Sequence, residues 1–328
     1  MDLLELCSLQ GTMPPSSGSV PPSGGSVPPW TLGCFRRRAI SYFNGDADDS
    51  TLVLWLQSRG LTGDLRLAAD RPKPTSREAL SELSLDELTR LAEVEGGVSP
   101  TRFEAVASSG IELAGTIQWS DWTAFQIHDK WPEPGDLRRV GDCLIEYAPS
   151  GAYVEDWRLQ PSGDGPLIGL TLVEERDTKS GQVTHRGGGL VIAGEHAIFV
   201  RGRAEALPPA KRLTDLIERA MTEPRLLDAI FGFEASYARR DGSGRYVVTA
   251  STSPWREGRP LLALGGFKLE DGFVLQKARE KERAVERRFR VDTLEPNYED
   301  WVATPATNQA VAWLAAEEQT LLRAARKR

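Results

Sequence analysis

The feature that most constrains this chain is a succession of short apolar or alternating runs, each closed by a turn signal a few residues later. That rhythm marks an antiparallel meander. The runs cover 32–42, 51–57, 64–68, 111–119, 122–128, 137–147, 153–160, 167–175 and 190–203, then 233–240, 246–253, 261–269 and 273–276. Turn sequences such as Asn44-Gly45-Asp46, Arg71-Pro72-Lys73-Pro74 and Asp241-Gly242-Ser243-Gly244 punctuate them. Their spacing is too short for repeated βαβ units, which argues against a doubly wound parallel sheet. An all-β or β-dominated fold follows. Closing the sheet into a barrel is the usual way to remove exposed edges, although a sandwich fits the same pattern.

Two segments interrupt the strands. Ser76 and Ser84 stand as N-caps before Leu80, Leu83, Leu88 and Leu91 at helical spacing, and a second helical stretch over 210–231 is broken by Pro224. The charged run 279–288 suits an exposed helix face. Residues 307–326 fit a terminal amphipathic helix, with Val311, Leu314 and Leu321 or Leu322 near one stripe. That helix is expected to pack across a barrel end, with a homodimer contact as the alternative. At the other end, 13–29 is a Ser/Gly/Pro repeat that cannot bury enough surface to offset chain entropy, so 1–29 is expected to be a disordered leader.

Composition narrows the partners and the compartment. Forty basic against 47 acidic residues leave a net charge of −7, which gives no basic face for nucleic acid. Cys7, Cys34 and Cys143 form neither a disulfide framework nor a zinc spacing. No apolar run approaches the roughly eighteen residues of a membrane helix, and the first residues lack the pattern of a signal peptide. A cytoplasmic protein away from membranes is expected.

Several phrases carry a resemblance. They begin with Trp30-Thr-Leu-Gly-Cys-Phe-Arg-Arg-Arg-Ala-Ile, Trp55-Leu-Gln and Asp64-Leu-Arg. Tyr153-Val-Glu-Asp-Trp157, Gly189-Leu-Val-Ile-Ala-Gly, Arg201-Gly-Arg203 and Ser253-Pro-Trp-Arg-Glu-Gly258 continue them. Over about 30–258 the chain resembles the HRI1-like family of two-module, lipocalin-like proteins. The resemblance implies two small lipocalin- or calycin-like barrels joined just after Trp157, so modules at 30–160 and 161–300 are expected; the leader and the residues after Gln276 depart from the family pattern, and 301–328 is expected to be a helical tail on its spacing alone. It implies no reaction and no catalytic residues.

Strand alternation nominates the side chains of a site, because residues two apart share a face. Tyr153, Glu155, Trp157 and Leu159 lie together, so an internal aromatic face would carry Glu155 inward. A buried carboxylate needs a partner or a raised pKa, which makes Glu155 a candidate base; pairing with an arginine at the rim is the structural alternative. Arg66 shares a face with Asp64 and is either solvated or an internal anchor for an anionic group. Arg201 and Arg203 pose the same choice beside Phe199, and Glu234 beside Ser236, where a solvated face is the simpler expectation. Trp55, Trp119, Trp122 and Trp157, four of nine tryptophans, could form an aromatic pocket, with Gln57 giving one polar contact. His128 lies with Trp122, Ala124 and Gln126 on a face that could line a cavity.

No histidine or cysteine spacing suggests a metal site, and no cofactor is expected; haem on His128 is a minor alternative. No nucleophile elbow or phosphate loop is present either. The favoured expectation is a barrel binding a small, largely apolar organic molecule. One alternative is a cofactor-independent cyclase, isomerase or lyase of secondary metabolism using Glu155 or Glu234 with an arginine such as Arg66. The other is a protein-interaction module with a filled barrel.

Overall fold

The computed structural model describes residues 1–10, 26–105, 113–128, 133–280 and 282–301, together with 308, 309, 312, 315 and 316. At 48% strand and 17% helix the chain is β-dominated, and its strands divide into two antiparallel sheets.

The first sheet uses β1 (Gly33–Tyr42), β2 (Ala47–Asp48), β3 (Leu52–Gln57), β4 (Leu61–Leu67) and β5 (Glu95–Ala105). It continues with β6 (Ala114–Trp119), β7 (Thr123–Ala124), β8 (Gly135–Val140), β9 (Cys143–Tyr147) and β10 (Tyr153–Leu159). The order β10-β9-β8-β6-β5-β4-β3-β1 closes because β1 also pairs with β10, from Phe35 opposite Leu159 to Tyr42 opposite Tyr153. Closure joins eight strands into a barrel and leaves none of the eight as a free edge. Only short β2 and β7 hang off the ring.

The second sheet contains β11 (Gly165–Asp177), β12 (Val183–Arg186), β13 (Gly188–Ala193), β14 (His196–Arg201) and β15 (Glu234–Arg240). It ends with β16 (Tyr246–Ser251), β17 (Phe267–Glu270), β18 (Phe273–Glu280) and β19 (Arg283–Tyr298). Its order, β16-β15-β14-β13-β11-β19-β18-β17, does not close: among the described residues no ladder joins β16 to β17. Among the described residues the first sheet is thus a closed barrel and the second an open sheet. Residues 258–264 and the chain start occupy the seam instead. Leu261 N–H bonds to Tyr246 O (2.8 Å), Leu3 N–H to Leu264 O (2.8 Å), and Phe267 N–H to Met1 O (3.1 Å).

This seam also corrects the expected disorder of the leader. Leu3–Gln10 forms a helix, α1, whose Leu3, Leu6 and Cys7 are buried against Phe267, Val274 and Phe289. Residues 11–25 of the proposed leader lie outside the described residues. The charged run is corrected as well. It belongs to β18 and the sixteen-residue β19, which pairs with β11 along its length, and Arg287 within it is fully buried. Most of the expected terminal helix falls outside the described residues.

Helices sit at the join between sheets. Ser84 and Glu87 form a reciprocal capping box that starts α2 (Leu85–Ala92), satisfying two donors otherwise orphaned at a helix start. Pro224 separates α3 (Ile217–Ala220) from α4 (Pro224–Ile230). Leu88 and Leu91 of α2, with Ile217 and Ile230, enter a core shared by Leu54, Leu56 and Leu65 of the barrel and Val191, Ile198 and Val200 of the second sheet. The sheets approach closely enough to require glycine. A Cβ on Gly96 would lie 2.9 Å from the Cβ of Ala235, and one on Gly63 3.0 Å from an Ile198 methyl. No helix among the described residues is long and apolar enough to cross a membrane.

Candidate functional site

Alternation carries the large side chains of the first sheet into the barrel, where they divide it into a packed floor and an open cavity. The floor is aromatic: Trp55 stacks on Phe35 (5.1 Å between centroids) and meets Trp157 (5.7 Å) and Trp119 (6.0 Å) edge to face. Gln57 lies beneath, with Trp55 Nε1–H donating to its Oε1 (3.2 Å) and its Nε2–H donating to Ser58 O (2.8 Å). Trp55, Gln57 and Trp157, expected in the pocket wall, therefore belong to the floor, and the amide of Gln57 is engaged by the protein itself.

Above the floor lies a cavity of about 300 Å³. Arg66, Trp119, Trp122, His128, Tyr153 and Glu155, six of the residues nominated by sequence, line it together with Asp64, Glu95, Asp121 and Glu146. Arg66 faces inward, bound by Asp64 through Nε (2.9 Å). Glu155 is buried as alternation suggests, and accepts from Arg37 Nη1 (2.9 Å), whose other nitrogen donates to Asp48 (2.6 Å). His128 is exposed at the rim, and its Nε2 donates to Ala210 O (2.9 Å). An iron-ligating role for that nitrogen would first have to break this bond, so the site gives haem a poor fit.

Glu146 is the residue that sequence reasoning missed. It stands directly opposite Glu155 in the β9–β10 register, so two carboxyl groups share one inward face. It accepts from Tyr153 Oη–H (3.1 Å) and Trp157 Nε1–H (3.1 Å), both neutral donors. Burial, reinforced by the charge of Glu155, pushes its carboxyl up to about 8, although Arg66 and the two donors pull the other way. Burial also raises Asp64, more than the adjacent Arg66 offsets. The signal for Glu146 was available in part: Leu144 and Glu146 alternate inward in β9. The missing information was the strand register that sets it against Glu155.

Phe199, Arg201 and Glu234 are not part of this cavity. They lie in the second sheet, where Glu234 is buried rather than solvated. Glu234 binds Arg201 and Arg256 (2.8 Å), while Glu175 binds Arg287 (2.7 Å) and Arg201 (3.5 Å). The guanidinium groups of Arg201 and Arg287 also lie over the Phe199 ring, at 5.8 and 5.3 Å. Burial opposes ionisation of Glu175, but Arg201 and Arg287 outweigh it and hold the carboxyl at about 2. Glu234 is likewise held below its ordinary range, with Arg201 and Arg256 overcoming burial. Arg203, weighed with Arg201, instead donates to the carbonyls of Ile230 and Phe125 between the sheets.

The cysteines carry no poised nucleophile. All three are buried free thiols, and burial pushes Cys7 and Cys34 up to about 12. Among the described residues no three His, Cys, Asp or Glu side chains are placed to share a metal ion.

The fold defines the class: a closed antiparallel β-barrel of lipocalin-like form, extended by a second, open sheet. No protein-family profile matches the chain, and no curated protein matches it. Among solved structures it is similar to an uncharacterised protein of Saccharomyces cerevisiae, YLR301w. The identity is 11% over 81% of this chain and 98% of that one, with a TM-score of 0.40.

Proposed function

We propose that the closed barrel binds a small organic molecule, with an apolar body, in its interior cavity. One observation carries this reading: a barrel whose floor is packed with tryptophan leaves a cavity of about 300 Å³ above it, walled by Trp119, Trp122 and Tyr153. Small barrels either fill such space with side chains or keep it for a ligand. The cavity gives a filled interaction module less support. The gapped phrases that resemble the HRI1-like family agree with a lipocalin-like barrel and leave the ligand open.

The test is native mass spectrometry of freshly purified protein, followed by titration with the neutral, environment-sensitive dye prodan. A retained small-molecule mass, or one saturable dye site that quenches tryptophan emission, is expected. A clean apo mass together with no dye binding would overturn the reading.

A second reading, a cofactor-independent cyclase, isomerase or lyase, has one observation in its favour. Glu146 and Glu155 face each other across β9 and β10, and the carboxyl raised to about 8 is Glu146. A group poised near working pH suits proton transfer. The sequence nominated Glu155 for that role, whereas the geometry favours Glu146 with Glu155 anchored by Arg37. Deuterium uptake from heavy water into a retained molecule, lost in Glu146→Gln, would support this reading; unchanged uptake would remove Glu146 from it.

A further inference from the structure

The cavity of the barrel is not walled by the barrel's long strands alone. Six of its lining residues, Asp121, Trp122, Ala124, Gln126, Ile127 and His128, belong to the segment 121–128 that follows β6. Of this segment only Thr123 and Ala124 join a ladder, opposite Val98 and Gly97, and Phe125 N–H adds one bond to Gly96 O (2.9 Å). A ladder of two residues holds a chain weakly, so the rest of the wall's placement has to come from its outer side.

That outer side belongs to the second sheet and its helices. Thr123 packs there so closely that a Cβ on Gly187 or on Gly202 would lie 2.9 Å from its side chain. Phe125 is fully buried, with its ring 6.1 Å from Phe231 and 5.7 Å from Phe233. The guanidinium of Arg203 lies against the Phe125 and Phe233 rings, at 5.2 and 5.4 Å from their centroids. Its Nη2 donates to Phe125 O (2.8 Å) and Ile230 O (2.9 Å), its Nε to Ile230 O (3.1 Å) and its Nη1 to Ala124 O (3.4 Å).

Arg203 has no carboxylate partner among the described residues, and burial lowers its pKa to about 10, so it remains a cation near neutral pH. A partly buried cation without an acid is costly unless its donors are used. Here carbonyls use them, one at the C-terminal end of α4, where the helix dipole favours positive charge. The planar fork reaches two chain segments at once while lying against aromatic rings, which a lysine ammonium would not reproduce. The guanidinium does not line the cavity. It acts on the cavity through the backbone of Ala124 and Phe125, beside a wall so close to β5 that a Cβ on Gly97 would lie 2.7 Å from Thr123 O and 3.2 Å from the Trp122 ring.

We propose that Arg203 is a positioning residue of the barrel cavity: it holds the wall 121–128 from the second sheet and thereby sets the size of ligand that the cavity accepts. The second sheet is then part of the binding apparatus of the barrel. This inference rests on the cavity being a ligand site, and adds what fixes its shape.

The test titrates the full chain and Arg203→Met with two neutral dyes of one chromophore, prodan and laurdan, of which laurdan carries a much longer acyl chain. Methionine keeps an apolar stem against the two rings and removes the buried charge. The prodan-to-laurdan affinity ratio should fall by at least about fivefold in the variant, because a released wall admits the longer chain. A loss of stability alone scales both affinities by the same folded fraction and leaves the ratio unchanged. If Arg203→Met fails to fold, hydrogen exchange on the unmodified chain decides: saturating prodan should slow exchange at 230–233, which does not line the cavity, as well as at 121–128, and leave β17 and β18 unchanged. If a retained molecule blocks the dyes, loss of its mass from the folded variant supports the inference and full retention overturns it. An unchanged ratio in the folded variant, or protection confined to the lining residues, overturns the role of Arg203 and leaves the ligand cavity standing. A clean apo mass with no saturable site for either dye overturns both.

Discussion

The barrel and the open sheet bury their carboxylates equally well and treat them in opposite ways. Glu146 and Glu155 of the barrel are 3% and 2% exposed, and Glu175 and Glu234 of the open sheet 2% and 5%, so depth does not separate them. Counter-charge does. In the open sheet Glu175, Glu234 and Glu280 meet Arg201, Arg256 and Arg287, three acids against three guanidinium groups. In the barrel Arg37 serves Glu155 and Arg66 serves Asp64, while Glu146 accepts two neutral hydrogen bonds and feels the charge of Arg66 too weakly to offset its burial. A balanced cluster is part of the framework, whereas an unbalanced acid beside a cavity has capacity left for something else. Burial alone would have nominated Glu234 and Glu146 alike.

The sharpest way to break this comparison is to unbalance the open sheet. Arg287 is fully buried and binds Glu175, Gln276 (2.9 Å) and Glu280. Arg287→Met should cost about 3–5 kcal/mol in denaturant unfolding, because it takes from buried Glu175 the nearer of its two guanidinium partners. A loss below about 1 kcal/mol would show that the cluster is not structural.

Glu146→Gln should act with the opposite sign. Its carboxyl is raised from 4.5 to about 8, so the folded protein holds a proton that the unfolded chain has released. The stability this contributes is complete below pH 4.5 and is lost as pH rises through about 8. Glutamine stays neutral throughout. Above that range the variant should be the more stable by about 3 kcal/mol, and at acid pH the two should converge. Thermal unfolding at both ends of the range checks the crossover, and a variant that is less stable at alkaline pH would contradict it.

Glu175 is the mirror case. Its carboxyl is depressed from 4.5 to about 2, so its contribution is complete above pH 4.5 and disappears as pH falls through about 2. That loss should amount to about 2 kcal/mol. Hydrogen exchange should show β11 and β14 losing protection in this window before the barrel strands do. The smallest effect expected is from Tyr153→Phe, which removes one donor from Glu146 and should cost about 1 kcal/mol. It should also move the Glu146 titration further up, as seen in the pH dependence of unfolding.

Much of the barrel was legible because period-two alternation encodes which side chains share a face. Tyr153, Glu155 and Trp157 point inward together, Arg66 follows Asp64, and the Ser84 cap precedes its leucines. What alternation does not encode is the partner strand. Glu146 became visible only when register set it opposite Glu155. Strand β5 was missed because Gly96, Gly97 and Pro100 suppress its β signal, yet it lines the cavity through Glu95 and its glycines. Strand β19 was hidden by its own charge: Arg287 looks solvated in sequence and is neutralised by Glu175 from a strand more than a hundred residues away. Helix α1 offered too few residues for a periodic signal, and its burial depends on the open seam beside it.

The central claim is that burial holds the Glu146 carboxyl above its ordinary range while arginines hold the buried acids of the open sheet below theirs. Carbon-13 carboxyl NMR of glutamate-labelled protein, with Glu146 and Glu175 assigned through their Gln variants, measures it directly. The account predicts that Glu146 titrates near 8 while Glu175 stays ionised down to about 2. Titration of both at the ordinary glutamate value near 4.5 would contradict it.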